Sequence, residues 1–207
     1  MRRRDALSLV AGCAFSSCTS ARSLNPFTDT QVYRWIALRL SGKTSLTVVI
    51  ELSERTPLHA KNLSRLVNDQ YYCGLKVHRV VDGQFVQTGD PLSRSETTRP
   101  IGTGGPGYTL PPEFGLKHVR GAVAMSRLPD GVNPGQRSNG SQFYFVLKDS
   151  PEMDQRNTVF GMVVQGIEGL DEISRSPVDG MGKPLARYEI VRTKGSSVSA
   201  DDAVKGL

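Results

Sequence analysis

The sequence is poor in the side chains that build disulfides and metal sites. Its 207 residues include three cysteines, three histidines and one tryptophan. Cys13 and Cys18 lie near the N-terminus, so Cys73 stands alone in the rest of the chain and cannot form an internal disulfide there. We expect Cys73 to be buried and inert, with a redox role as the alternative. His59 and His118 have no acidic or cysteine neighbour at metal-ligand spacing, so the sequence predicts no metal and no cofactor.

Long apolar runs and complete phosphate-binding motifs are also missing. The N-terminal apolar run, Ala6–Phe15, is too short to cross a bilayer, so we expect no transmembrane segment in the mature protein. The run Gly102–Gly107 is rich in glycine, as phosphate-binding loops are. It lacks their Gly-Lys-Ser/Thr ending, however, and Pro106 has no backbone N–H to donate to a phosphate. We therefore interpret this run as a flexible loop.

The net charge of +6 would suit a nucleic-acid-binding protein, but half of it comes from the N-terminal segment. Four arginines against one aspartate contribute +3 there: Arg2, Arg3, Arg4 and Arg22 against Asp5. The other half is not gathered with aromatic residues into a stripe. We expect no nucleic-acid partner and interpret the basicity as a contribution to solubility.

Residues 1–24 have the features of a targeting segment. Three arginines at positions 2–4 precede the short apolar run, and the small residues Thr19–Ala21 follow it as a cleavage site. Arginine pairs before such a run resemble twin-arginine export signals, including those that enter the thylakoid lumen. Val10–Cys13 also resembles a bacterial lipobox, and a disordered basic tail is a third interpretation. We expect an exported protein of the chloroplast thylakoid lumen, with a bacterial envelope lipoprotein as the alternative.

Glycine and proline are abundant, with 21 and 12 residues, which indicates a chain with many turns. The length suits one domain with a sizeable core and tails. Alternating apolar residues predict an early hairpin, and Thr56-Pro57 predicts a helix with proline near its first position. The expected strands are Val32–Leu40, Leu46–Leu52 and Leu185–Val191; a second helix is expected at Glu168–Ser174, and a flexible, disordered tail from Gly195.

The stretch Val77–Pro91 is the centre of the sequence. Its valines predict a strand, Asp82-Gly83 supplies a turn, and a second short apolar run follows. This reversal brings the polar side chains of Arg79 and Gln87 close together. An arginine on a valine-rich strand is costly to leave half buried without a partner. A surface arginine, or one paired with an acid, is the alternative interpretation.

Two further segments, Ser138–Phe145 and Val159–Val163, follow in an order and at a spacing that resemble the cyclophilin family of peptidyl-prolyl cis–trans isomerases. The resemblance covers about residues 31–193, and its most specific parts are His-Arg-Val…Gly-x-x-x-Gln-x-Gly-Asp and Asn-Gly-Ser-Gln-Phe. It implies a mainly β fold, a closed eight-stranded antiparallel β-barrel capped by two α-helices. The implied domain is 31–193, followed by the tail 195–207.

The resemblance also implies a site for X–Pro polypeptide substrates. Arg79 would be the catalytic arginine, and Gln87 the residue that holds the substrate backbone. The implied substrate-binding residues comprise a proline pocket of Phe85, Tyr144 and Met153, and the groove positions Ser126 and Arg127. Phe143 should point away from Tyr144 into the core. His78 is expected to be a structural group hydrogen-bonded inside the barrel.

Four groove positions depart from the family pattern. Gln84 replaces a pocket phenylalanine, Tyr144 adds a hydroxyl that needs a partner, and Asn157 replaces a common histidine. Glu152 stands where many members have the tryptophan that contacts cyclosporin, so we expect weak cyclosporin binding. The loop 127–138 is longer than in compact members and could alter substrate access.

Two functions remain open for a chain of this kind, which we expect to be a monomer. The first is an isomerase that assists protein folding. The second is a weakly catalytic or non-catalytic module, such as an assembly factor, that binds proline-containing peptides in the same groove. Retention of both Arg79 and Gln87 favours the isomerase.

Overall fold

The computed structural model describes residues 31–207 except residues 44 and 96. The predicted targeting segment, residues 1–24, lies outside the described residues. The described part contains ten strands and three α-helices: β1 Trp35–Ser41, β2 Leu46–Leu52, α1 Pro57–Asn68, β3 Arg79–Val81, β4 Phe85–Thr88, β5 Thr109–Leu110, β6 Ala122–Met125, β7 Ser138–Asn139, β8 Phe143–Val146, β9 Val159–Gln165, α2 Ile167–Ser174, β10 Glu189–Ser196 and α3 Ala200–Val204. Short 3₁₀ turns lie at Pro91–Ser93 and Pro151–Met153.

Eight of these strands form one antiparallel sheet in the order β10-β1-β2-β9-β6-β8-β4-β3. The expected closed barrel is not confirmed, because in the described residues β3 and β10 do not pair as strands and the sheet is an open half-barrel. Backbone bonds from Val77 N to Tyr188 O (2.9 Å) and from Ile190 N to Leu75 O (2.8 Å) partly bridge the gap. The free edge of β3 is occupied instead by Gly182, whose carbonyl accepts a bond from Val80 N at 2.8 Å.

The predicted alternation along β8 is confirmed. Phe143 and Phe145 are fully buried in the main core, whereas Tyr144 points to the opposite face and joins a smaller apolar cluster. Successive strand residues point to opposite faces, so one strand serves both the core and the groove. The rings of Phe143 and Phe160 meet edge to face, with centroids 6.1 Å apart.

Helix α1 begins as its sequence indicates, with Pro57 in its first turn. Its apolar stripe places Leu63 and Leu66 in the main core, at 2% and 0% exposure. Burying one leucine side chain of this kind contributes on the order of 2 kcal/mol. The predicted second helix is also present, beginning one residue earlier, at Ile167.

The C-terminal residues differ from the expected flexible tail. Strand β10 extends to Ser196, and α3 follows it, so the described residues contain three α-helices rather than two. Ala203 of α3 is fully buried against Ala37 and Val49 on the outer face of the sheet. The polar composition concealed this small apolar stripe. The N-cap at Ser199, which accepts a bond from Asp202 N at 3.0 Å, was the sequence signal that could have revealed the helix.

Candidate active site

All ten predicted site residues surround one groove of about 1160 Å³. They are Arg79, Gln84, Phe85, Gln87, Ser126, Arg127, Tyr144, Glu152, Met153 and Asn157. Strands β3, β4 and β8 form its floor, and loops around residues 98–102, 126–130, 150–157 and 179–183 form its walls. The groove therefore assembles residues from distant parts of the chain at one edge of the half-barrel.

Arg79 and Gln87 lie directly opposite each other on β3 and β4. Arg79 is exposed, and its guanidinium carbon lies 5.1 Å from the centroid of the Phe85 ring. A cation above an aromatic face is attracted to it, so Phe85 orients Arg79 over the groove. Gln87 donates from Nε2 to Gln142 Oε1 at 3.1 Å. The prediction that the hairpin brings Arg79 and Gln87 close together is thus confirmed.

Gln142 is a groove residue that the sequence analysis did not single out. Its Nε2 donates to the carbonyl oxygens of Gly102 and Gly104 at 2.9 and 2.8 Å. Because both amide hydrogens are used in this way, its Oε1 is directed to Gln87. Its position inside the Asn-Gly-Ser-Gln-Phe motif was the signal that could have identified it.

The glycine-rich run that carries these carbonyls is tied down rather than free. The buried carboxylate of Asp90 accepts bonds from the backbone N–H groups of Leu92 (2.7 Å), Gly102 and Gly104 (3.3 Å). A Cβ at Gly104 would lie 2.2 Å from Asp90 Oδ1, so glycine is required at this close approach. Gly102 and Gly104 are thus tied to the buried Asp90 side chain, which is an anchor that the expectation of a flexible loop did not include.

Phe85, Tyr144 and Met153 form an apolar pocket. The rings of Phe85 and Tyr144 are 5.9 Å apart and tilted by 58°. Met153 packs against the same cluster, which also contains Ala124 and Val146. Gln84 is exposed at the rim, and Phe85 supplies the apolar wall beside it.

The Tyr144 hydroxyl has a partner that the sequence did not predict. It lies 3.1 Å from His118 Nε2, and His118 Nδ1 lies 3.0 Å from Asp154 Oδ1. Burial raises the pKa of Tyr144, so its hydroxyl stays protonated. Bonds from the backbone N–H and then the ring of His118 lower the pKa of Asp154. Because the ionised carboxylate only accepts, Nδ1 carries a proton, and in the neutral ring Nε2 is the acceptor for the Tyr144 hydroxyl.

Arg127 braces two walls of the groove with its side chain. Its Nε donates to the carbonyl of Arg156 at 2.5 Å, and its Nη1 donates to Asp130 Oδ1 at 2.5 Å and to Leu128 O at 3.0 Å. The side chain is only 9% exposed. The guanidinium thus holds the first turn of the long loop against the segment that carries Met153.

Ser126 and Asn157 also hold the walls in place. The backbone N–H of Ser126 donates to Gln142 O at 2.9 Å, and its carbonyl accepts from Asn139 N at 2.7 Å. Asn157 is buried and donates from Nδ2 to Met125 O at 2.9 Å. Glu152, in contrast, is exposed at the rim.

His78 lies below the groove beside Arg79. Burial lowers its pKa to about 4, so the ring is neutral at pH 7. In the described part of the chain, neither ring nitrogen makes a hydrogen bond of standard geometry, although Gln142 and the backbone of Lys76 lie nearby. The expected hydrogen-bonded histidine is thus buried but without good partners, because the neighbouring polar groups are already bonded elsewhere.

The other two histidines have carboxylate partners that the sequence did not indicate. His59 and His118, which have no acidic neighbour along the chain, each contact a carboxylate in space, Glu113 and Asp154. Within the described ranges, no group of three or more His, Cys, Asp and Glu side chains is arranged to hold a metal ion. Among residues 31–43, 45–95 and 97–207, no helix has the length and apolar character of a membrane span.

Comparison with known proteins places this fold among the cyclophilins. A crystal structure of a cyclophilin-type peptidyl-prolyl cis-trans isomerase from Cryptosporidium parvum matches with a TM-score of 0.67 and 24% identity, covering 78% of this chain and 96% of that one. A second structure, of the same Cryptosporidium protein in the presence of the dipeptide Ala-Pro, has a TM-score of 0.63 and 25% identity, covering 76% and 96%.

The sequence comparisons identify the family. The family model "Cyclophilin type peptidyl-prolyl cis-trans isomerase/CLD" matches residues 38–195. A peptidyl-prolyl cis-trans isomerase-like 3 from Gallus gallus is 41% identical over 136 residues, covering 64% of this chain and 78% of the relative. A probable peptidyl-prolyl cis-trans isomerase from Brucella suis is 36% identical over 135 residues, covering 62% and 66%. The chain belongs to the cyclophilin-type peptidyl-prolyl cis-trans isomerase family.

Proposed function

We propose that this protein isomerises X–Pro bonds in polypeptides and thereby assists protein folding. The observation that carries the proposal is the exposed Arg79, held over Phe85 and opposite Gln87 beside the apolar pocket of Tyr144 and Met153. The family assignment supports the same reaction. The substrates would be exposed X–Pro segments of other polypeptides, and the protein would act as a monomer.

The reaction needs a donor aimed at a nitrogen rather than a nucleophile. Rotation about an X–Pro bond breaks amide resonance against a barrier of about 20 kcal/mol. In the twisted transition state the proline nitrogen becomes pyramidal, and its lone pair becomes a hydrogen-bond acceptor. A guanidinium donor near that nitrogen stabilises the transition state more than the planar ground state, and this difference lowers the barrier.

The groove residues have complementary roles in this proposal. Arg79 donates to the twisting amide, and its planar guanidinium offers several donors in fixed directions. Phe85, Tyr144 and Met153 hold the proline ring, while Gln87 binds the substrate backbone. Arg127, through its bond to Arg156 O, keeps the wall that carries Met153 in place.

The test is to replace Arg79 in the full chain and measure isomerisation of an X–Pro peptide by NMR exchange. We expect Arg79→Ala to remove most activity with little change in melting temperature, because the side chain is exposed. Arg79→Lys should also fail, since a point ammonium cannot reproduce the guanidinium geometry.

A matched control is Arg34→Ala. Arg34 is also exposed and lies over an aromatic ring, Trp35, at 4.7 Å, but it is outside the groove. Activity of Arg79→Ala equal to that of the control would remove Arg79 from the mechanism.

The alternative function is a receptor for proline-containing peptides with little turnover. The exposed Gln84 and the tethered Asn157 support it, because these side chains differ from the family pattern in the groove. Under this alternative, Arg79→Ala should weaken peptide binding measured by calorimetry, while the wild type shows no exchange above the uncatalysed rate. Measurable wild-type catalysis would decide for the enzyme.

We further propose weak cyclosporin binding, on the basis of the exposed Glu152 at the groove rim. A carboxylate there must lose hydration against an apolar cyclic peptide, and it offers no indole N–H. A cost of about 1–3 kcal/mol corresponds to a tens-fold weaker affinity. Glu152→Trp should bind cyclosporin more tightly in a titration, and inhibition of wild type as strong as that of the variant would contradict this.

For the cellular location we propose export to a thylakoid lumen or a bacterial envelope, from the arginines and apolar run of residues 1–24. N-terminal sequencing of native protein should start near residue 22. A native chain that still carries residue 2 would contradict cleavage, and lipidated Cys13 would favour the lipoprotein alternative.

A further inference from the structure

The turn formed by residues 177–185, between α2 and β10, presents three exposed apolar side chains. Val178, Met181 and Leu185 are 43%, 78% and 71% exposed. Only Met181 of these three also lines the groove, together with Arg79 and Phe85. An apolar side chain so exposed at the wall of a binding groove gains most when a ligand covers it.

The turn fixes the backbone at Met181. The carboxylate of Asp179 accepts bonds from Met181 N at 2.9 Å and from Lys183 N at 3.0 Å. The backbone of Asp179 also pairs with Lys183, with Asp179 N donating to Lys183 O at 2.9 Å. These bonds close the turn at its tip. A side chain on a closed turn loses less conformational entropy when it binds a ligand than one on a mobile loop.

The tip is attached to the strand that carries the catalytic arginine. Gly182 O accepts the Val80 N–H at 2.8 Å, and Gly182 adopts the left-handed conformation at φ +80°. A Cβ added at Gly182 would lie 3.7 Å from Arg79 Cγ, so the tip lies beside the stem of Arg79. Met181 is therefore placed against the edge of the active site by contacts to β3.

We propose that Met181 is a specificity-determining residue that binds an apolar side chain on the carboxyl side of the substrate proline. The inference rests on the proposed function. The sheet order β6-β8-β4-β3 places Ser126, which follows β6, and the tip on β3 at opposite sides of the proline pocket. The proposal takes the residues before proline to lie against the Ser126 wall, so that those after it extend towards Met181. An unbranched thioether adapts to apolar side chains of different shapes.

The experiment compares peptides of the form Ala-Ala-Pro-Xaa, with Xaa as Leu, Phe, Ser or Gly, by NMR exchange on the full chain. Wild type should prefer Leu and Phe. We expect Met181→Ser to lower kcat/KM about fivefold for Leu and Phe and less than twofold for Ser and Gly. Leu185→Ser is the matched control, because it removes an equally exposed apolar side chain from the same turn without altering the groove.

Two results would overturn the proposal. These are an equal loss for all four peptides and an equal effect of the two variants. Peptide affinities from calorimetry separate this inference from the proposed function. If wild type lacks turnover but Met181→Ser still selectively weakens binding of Leu and Phe peptides, the isomerase assignment fails and the Met181 contact stands.

Discussion

Two buried histidines in this protein make the same pattern of three hydrogen bonds. The side chain of His59 lies between α1 and β7, and that of His118 lies beside the groove. The backbone N–H and ring Nδ1 of His59 both bond to Glu113 Oε2, at 3.0 and 2.6 Å. His59 Nε2 lies 2.9 Å from Ser138 Oγ. Burial alone would raise the pKa of Glu113, but the bonds from the His59 ring and from two backbone N–H groups lower it overall.

Beside the groove, His118 repeats the pattern with different partners. Its backbone N–H and ring Nδ1 both bond to Asp154 Oδ1, at 2.8 and 3.0 Å, and its Nε2 accepts from Tyr144. The third partner is what distinguishes the two sites, because the Tyr144 ring is a wall of the apolar pocket. His118 thus connects the pocket wall to the segment that follows Met153.

The comparison shows that access, rather than arrangement, determines what such a group can do. The hydrogen bonds from Glu113 through His59 to Ser138 follow the same order as in a hydrolase triad. Ser138 is only 2% exposed, however, so no substrate reaches its hydroxyl. The bonds of His59 therefore hold α1 against β7, whereas those of His118 position Tyr144, whose ring faces the groove.

The largest expected effect is on stability, from His59→Ala. The change leaves Glu113 and the buried Ser138 hydroxyl without their ring partner, which costs about 3 kcal/mol. Urea unfolding at pH 7 measures the loss, and Ser138→Ala, which removes one bond, should cost about 1 kcal/mol. Isomerase activity per folded molecule should stay at the wild-type level. If the His59→Ala variant kept its stability but lost activity, the purely structural role of His59 would be contradicted.

The third histidine sharpens the comparison through pH. His78 has a pKa of about 4 in the folded state, below its usual value near 6.5. Between these values the unfolded chain binds the extra proton, so stability is full above pH 6.5 and falls with acidification towards pH 4. We expect a loss of about 2 kcal/mol between pH 6.5 and 4.5.

The carboxylates near the other two histidines predict a different window. The folded-state pKa values of Glu113 and Asp154 are lowered, so their contributions are present above the unfolded carboxyl pKa and are lost only at lower pH. Urea unfolding of His78→Gln between pH 6.5 and 4.5 should therefore give a flatter profile than wild type. An unchanged profile would contradict the assignment to His78.

A smaller effect, on activity, is expected from His118→Phe. Phenylalanine keeps a ring but removes both nitrogens, so the Tyr144 hydroxyl stays in the pocket wall without an acceptor. We expect kcat/KM to fall about fivefold, which corresponds to about 1 kcal/mol. In a Tyr144→Phe background the same change should have less effect, because there is no hydroxyl to orient. Fully additive losses in this cycle would contradict a positioning role.

The smallest effect is expected from Tyr144→Phe alone. The aromatic wall remains, and only the bond to His118 is lost, so stability should change by no more than about 1 kcal/mol. The kcat/KM value from NMR exchange should remain within about twofold of wild type. A tenfold loss would mean that the hydroxyl itself acts on the substrate.

The sequence was most informative where function depends on residues close together along the chain. A short hairpin places Arg79 opposite Gln87 because strand side chains alternate and the Asp82-Gly83 turn fixes the pairing. The Asn-Gly-Ser-Gln-Phe motif identified the neighbouring strand. The start of α1 could be predicted from proline at its first position, since the N–H that proline lacks would have no acceptor within the helix there.

The tertiary structure alone decided the contacts between distant residues. His118 and Tyr144 are 26 residues apart, and His59 and Ser138 are 79 apart, so no local period links them. The contact at the open edge of the sheet also joins distant residues, since the Val80 N–H donates to the carbonyl of Gly182. Local propensity fixed the strands and turns of this protein, whereas the path of the whole chain fixed which buried polar groups meet. A hydrogen bond depends on distance in space, and sequence spacing carries little information about that distance once residues lie on different elements.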